Sequence, residues 1–161
     1  LDIRIISAVI SAGVALLIAV LNHFVITPIK EKKASKREKL KKLYAPLYSL
    51  VIARINISKA QSVIQKKIML GTAKPSVWLN SDFMNNLFLE QSGYASDQLI
   101  EEWVKYSGSM KSLTTEAGAR PFVVQLVKDY NKLKKDLKLA YSKDELETGI
   151  PDILKGVELL D

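Results

Sequence analysis

Between Ile5 and Ile26 the chain carries 22 residues without a single Lys, Arg, Asp or Glu. At 1.5 Å per residue, such a run makes a helix of roughly 33 Å, enough to cross a hydrocarbon core of about 30 Å. A core helix of a soluble domain normally keeps one polar face. This run offers only Ser7, Ser11, Asn22 and His23, the last two near its C-terminal end. A cleaved leader fits poorly, because its apolar region runs about 7–15 residues and ends at a small-x-small site. The pattern predicts a transmembrane anchor within residues 1–28, with Pro28 expected to break or kink the helix just beyond the apolar run.

The next segment sets the expected orientation. Lys30 to Lys42 holds eight Lys or Arg side chains and two Glu, against one Arg before the span. The positive-inside rule keeps such a flank cytoplasmic, placing the N-terminus outside and the rest of the chain inside a cell membrane. Six of the chain's seven excess positive charges lie in these 13 residues, and the 119 that follow them are nearly neutral. A nucleic-acid-binding domain would carry its excess on the folded part, so the distribution argues against that partner. Anionic lipid headgroups are the expected one, at about 1 kcal/mol per basic side chain near the surface. Lys30, Lys32, Lys33, Lys36 and Arg37 are the candidate headgroup contacts, in a basic juxtamembrane helix over residues 29–45. A plain solvated topogenic run explains the same charges without lipid recognition.

Within the apolar run, Ser7, Ser11, Ala15 and Ala19 recur every four residues. Small side chains at this spacing let two spanning helices approach closely, which makes this the candidate association face of a homo-oligomer. The simpler reading is that Ala and Ser are common in anchors.

Residues 46–161 read as an antiparallel helical bundle, so the fold class is all-α. Leu40, Leu47, Arg54, Gln61 and Ile68 recur every seven residues, with Leu43, Leu50, Ile57 and Ile64 three residues after the first four. That is a coiled-coil or bundle seam. Arg54 and Gln61 interrupt it and are expected at the edge of one helix, snorkelling to solvent. Pro46 suits the first turn of a helix. Gly71 to Pro75 reads as a loop. Ser81 is the expected cap of a helix with Phe83, Met84, Leu87 and Phe88 inward, ended by Ser92-Gly93. A helix from about Ser96 to Leu113 places Leu99, Ile100, Trp103, Val104, Met110 and Leu113 together, opposite Glu101 and Glu102. After a loop over 114–120, Pro121 opens a helix with Val123, Leu126, Tyr130, Leu133, Leu137 and Ala140 on one face. Lys128, Asn131, Lys132, Lys135 and Asp136 lie on the other. Ser142 and Glu145 match a capping box. Gly149 to Pro151 breaks the chain before a short helix with Ile153, Leu154, Val157 and Leu160.

Little in the sequence points to chemistry. There is no cysteine and one histidine, His23, inside the apolar run. Neither a clustered metal site nor a Ser-His-Asp arrangement can be assembled in the cytoplasmic part. The expected reading is a non-enzyme without cofactor, although a site built from distant positions is invisible to spacing. Two segments, Leu43–Leu50 (LYAPLYSL) and Asp129–Tyr141 (DYNKLKKDLKLAY), are similar to segments of small bacterial or phage single-pass membrane-anchored helical proteins, a group without an assigned activity. The resemblance implies a bacterial or phage source and an anchored helical architecture, and carries no functional residues. The leading expectation is a membrane-anchored interaction or scaffold protein that engages itself or an unidentified protein. The alternatives are a membrane-perturbing or phage exclusion factor, and an enzyme with an unrecognised site.

Overall fold

A computed structural model describes residues 2–72, 79–109 and 119–159. Met110, Leu113 and Leu160, and the loop segments 73–75 and 114–118, lie outside the described residues. All regular structure among the described residues is helical. The chain divides into two compact units, residues 1–36 and 37–161.

The first unit contains α1 (Ile3–Leu21), a π-helical turn (Asn22–Ile26) and the start of α2 (Thr27–Lys39). The Asp2 carboxylate caps α1 by accepting the Arg4 N–H. The described side chains of α1 are all exposed. Its most apolar stretch has a mean hydropathy of 2.4 and no residue buried, which makes it the one helix of the described residues long and apolar enough to cross a membrane.

Pro28 does not interrupt the helix where a break was expected. A proline removes one N–H donor, and its ring crowds the carbonyl four residues back. The π turn relieves that crowding by widening the helix over one turn. The Thr27 N–H reaches the Asn22 carbonyl, which also accepts the Thr27 hydroxyl at 2.9 Å. In the second unit the same solution precedes Pro46. A π turn over Leu40–Tyr44 ends with the Ala45 N–H donating to the Leu40 carbonyl. Helix α3 (Ala45–Ile57) continues from it, with Pro46 as its second residue.

The remainder of the second unit comprises α4 (Lys59–Gln65), α5 (Ser81–Gln91), α6 (Asp97–Ser109), α7 (Arg120–Asp136) and α8 (Lys143–Thr148), with short 3₁₀ turns at Ser92–Tyr94 and Asp152–Leu154. Its core joins Leu43, Leu47, Val51 and Ile55 to Met84 and Phe88 of α5, Leu99 of α6, and Phe122, Val123, Leu126 and Val127 of α7. The Phe88 ring stacks on Trp103 at 4.5 Å, and Tyr106 stacks on Phe122 at 5.3 Å.

The seven-residue seam holds at its beginning and again at Arg54 and Ile68, which are buried, but fails at Ile57, Gln61 and Ile64. Leu43, Leu47 and Leu50 are buried, but Ile57 is 40 % and Ile64 80 % exposed, and Gln61 faces solvent. The buried stripe runs instead through Tyr44, Leu47, Val51, Ile55, Ser58 and Ser62. An unsupercoiled helix drifts about 20° per heptad, so a strict seven-residue count moves off the core face over two or three heptads. Ser58, at the junction of α3 and α4, adds to this by leaving helical geometry (φ −100°, ψ 14°).

Arg54 corrects the expectation of a snorkelling edge residue: it is only 1 % exposed. Its Nε donates to the Gly71 carbonyl at 2.9 Å, and its terminal nitrogens donate to the Leu70 carbonyl, Ser81 Oγ and Met84 Sδ. Beside it, Ser58 Oγ donates to the Met69 carbonyl at 2.6 Å and accepts the Gly71 N–H. The strand-less segment 67–72 has no ladder to satisfy its backbone, and these two side chains supply the partners. Gly71 suits this close approach, since a Cβ there would lie 2.9 Å from the Ile57 side chain, which would have to shift.

Other boundaries also shift. Asn80, not Ser81, caps α5, accepting the Phe83 N–H at 2.7 Å. Phe83 is 41 % exposed, and Val104 56 %, rather than inward. Helix α7 ends at Asp136, so Ala140 lies beyond it and is exposed. A single 3₁₀ turn replaces the expected last helix.

Truncating Arg54→Ala removes donors from two carbonyls and leaves a void, so it should lower unfolding stability by about 3 kcal/mol. Urea titration followed by tryptophan fluorescence checks this; a loss under about 1 kcal/mol would mean the guanidinium does not pin the 67–72 segment. Gly149→Ala should also destabilise, by about 2 kcal/mol. Gly149 has φ +73°, and a Cβ would come within 2.5 Å of Val124.

Candidate functional site

Ser7, Ser11, Ala15 and Ala19 lie along one side of α1, since steps of four residues turn a helix by only about 40°. All four are exposed, and nothing lies within 4 Å of a Cβ placed on Gly13. Of the candidate headgroup contacts, Lys30, Lys32 and Lys33 of the first unit and Arg37 of the second are exposed. Lys36 is partly covered and already engaged.

The end of the basic segment is tied into the second unit. Lys42 pairs with Glu38 at 2.7 Å and donates to the Tyr94 hydroxyl at 3.0 Å, which in turn donates to Glu38 at 3.1 Å. These hydrogen bonds, with the Coulombic attraction of the pair, hold Glu38 below the usual carboxylate range and raise Lys42. Lys42 is therefore occupied within the fold.

Two polar clusters lie deeper. The first centres on Glu145 of α8, 3 % exposed. Its carboxylate accepts the Tyr48 hydroxyl at 2.8 Å, the Asn131 side-chain amide at 2.8 Å and the Asp152 N–H at 2.9 Å. Asn131 Nδ2 also donates to the Val127 carbonyl, and its Oδ1 accepts the Ser142 N–H. The capping box is thus half formed. Ser142 Oγ accepts the Glu145 N–H at 3.3 Å, but Asn131 takes the Ser142 N–H, which frees the Glu145 side chain to join three other segments. Tyr48, stacked on Tyr130 at 4.1 Å, has its hydroxyl pKa driven upward, first by burial and then by the hydrogen bond and charge of Glu145.

The second cluster centres on Asp129 of α7. Its Oδ2 accepts Ser96 Oγ at 2.5 Å and the Tyr44 hydroxyl at 3.4 Å, and its Oδ1 accepts Gln125 Nε2 at 3.0 Å. Ser96 also caps α6, its Oγ accepting the Leu99 N–H. Burial, followed by the Asp129 charge, pushes the Tyr44 hydroxyl up to about 12. A Ser–Asp contact lacks the intervening base that nucleophilic catalysis requires, and the oxygens of Asp129 are taken by structural donors. This cluster ties helices together.

Asn131 was expected on the polar face and is only 1 % exposed. The signal was present: Val123, Val127 and Asn131 follow one another at steps of four, on the buried stripe. No spacing rule revealed Glu145 as a hub, because its partners are 14 and 97 residues away.

Among the described residues no three His, Asp or Glu side chains gather as a metal site would require. A surface depression of about 380 Å³ is lined by Arg120, Asp144, Pro151, Lys155 and neighbouring residues. Lys155 there is paired with Asp144 at 2.7 Å. Comparison with protein-family models, curated proteins and solved structures finds no match.

The Glu145 hub faces three donors, so Glu145→Gln, which substitutes an NH₂ for one acceptor, should cost about 1–3 kcal/mol. Denaturant titration reads this, and an unchanged midpoint would remove the hub from the fold's energetics. Tyr44 gives a second test. Free tyrosine ionises near 10, whereas folded Tyr44 stays neutral to about 12. The folded state therefore binds the extra proton between these values, and stability should be constant below about pH 10 and fall as pH rises toward 12. Alkaline unfolding of wild type against Tyr44→Phe measures that contribution, and superimposable profiles would contradict it.

Proposed function

We propose that this protein is a single-pass membrane protein whose helical bundle is held at the cytoplasmic face as an interaction scaffold, with no catalytic role. The observation that carries the proposal is the contrast between the two units. The apolar helix α1 buries none of its most hydrophobic window, whereas residues 37–161 possess their own core. An apolar surface of that length, left uncovered, calls for lipid as its solvent. The basic flank orients the anchor and draws anionic headgroups to Lys30, Lys32, Lys33 and Arg37. The polar clusters around Glu145 and Asp129 serve to rigidify the bundle, consistent with a binding platform. Anchoring confines the platform to the membrane and raises its effective concentration toward membrane-proximal partners or a second copy, the latter through the face of Ser7, Ser11, Ala15 and Ala19.

The expected behaviour is retention in the membrane fraction after alkaline carbonate extraction, lost in Val14→Arg/Leu17→Arg, where each charge costs about 3 kcal/mol at the bilayer centre. Extraction of the wild-type chain into the supernatant would overturn the anchor. Sidedness is read with single cysteines, since the chain has none of its own. In intact cells an impermeant maleimide should label Asp2→Cys and spare Glu90→Cys; the reverse pattern would invert the topology.

A further inference from the structure

Residues 43–161 are nearly neutral as a whole, yet exposed lysines gather around the exit of α7. From Lys128 to Glu147 there are six lysines and five acids, but Lys143 pairs with Glu147 at 3.8 Å, Asp144 pairs with Lys155 at 2.7 Å, Glu145 is buried, and Asp129 faces inward to Ser96, Gln125 and Tyr44. Lys132 and Lys135 lie on one side of α7 and are exposed, as are Lys138 and Lys143 around the turn into α8. In the same turn Leu139 is 48 % and Tyr141 37 % exposed.

That turn is held in an uncommon conformation. Lys138 has φ +58°, a left-handed geometry usually left to glycine or asparagine. The helix end closes with the Leu139 N–H on the Lys134 carbonyl at 2.8 Å. Such closures are commonly accompanied by an apolar contact of the residue after the turn with the last helical turn. Here half of Leu139 remains in solvent instead.

We infer that the turn between α7 and α8 is a second, peripheral membrane contact, which takes an anionic phospholipid surface with Leu139 and Tyr141 at the headgroup boundary and the lysines on the headgroups. Charge complementarity selects an acidic partner, and the two exposed apolar side chains select a bilayer over a nucleic acid, which would leave them in water. The inference rests on the proposed anchor, which keeps a bilayer within reach of this domain.

The test uses the full chain in nanodiscs of phosphatidylcholine with or without phosphatidylserine, carrying an environment-sensitive fluorophore on Ala140→Cys, between the two apolar side chains. The label should shift to the blue and be quenched by nitroxide lipids in discs containing phosphatidylserine, and lose both effects in about 1 M salt, where screening acts within about 3 Å. Replacing Lys132, Lys135 and Lys138 with Gln should reduce the lipid-bound fraction by about fivefold per lysine. A water-like, unquenched label in acidic discs overturns the inference, as does contact that is equal without phosphatidylserine. A parallel label on Leu17→Cys separates the two ideas. Quenching there with a water-exposed position 140 rejects the peripheral contact alone, and no quenching at either position rejects the anchor as well.

Discussion

The second unit depends on one buried carboxylate. Glu145 joins α3 through Tyr48, α7 through Asn131 and the 151–152 turn through the Asp152 backbone. A buried acid with too few donors is costly, whereas one with three donors and good geometry specifies a single arrangement of the segments that supply them. Around it the positions of α8 and its flanks follow. Gly149 takes its left-handed turn against Val124, Leu154 reaches the core, and Asn131 has both amide hydrogens and its oxygen in use. Arg54 performs the corresponding task at the other side of α3, where a segment without regular structure crosses the helix and requires donors for its carbonyls.

The helical run leading into this domain obeys a different constraint. Pro28 and Pro46 each lack a hydrogen-bond donor and crowd the preceding turn, and each is preceded by a π turn that widens the helix at that point. The basic residues from Lys30 to Lys39 lie between these two adjustments, and Lys41 and Lys42 lie within the second. Their last member, Lys42, is tied to the fold by Glu38 and Tyr94 although its side chain stays exposed. A further group of lysines lies in one stretch of sequence, through α7 and its exit turn, although the net charge of residues 43–161 is close to zero.

Much of the helix content was legible. The positions of Leu43, Leu47, Leu99, Val123 and Leu126 follow from apolar periodicity, and each is buried. Periodicity failed where a polar side chain has a reason to be inside. Arg54 and Asn131 were read outward and Glu145 as a capping-box partner, yet each answers unsatisfied backbone or side-chain groups that only packing brings near. It failed again at Ile57 and Ile64, where a seven-residue count was extended along a helix that does not supercoil and that ends its regular geometry at Ser58.

By itself the sequence determined the helical class, the uncharged apolar helix at the start of the chain and the placement of the basic flank behind it. These are properties of composition and local spacing, and neighbours a few residues away are sufficient to express them. Only the tertiary structure decided which polar residues are buried, which donors reach Glu145 and which acceptors Arg54 reaches. Those features depend on contacts between residues as far apart as Tyr48 and Glu145, whose partnership is set by the packing of whole helices and leaves no mark in local spacing.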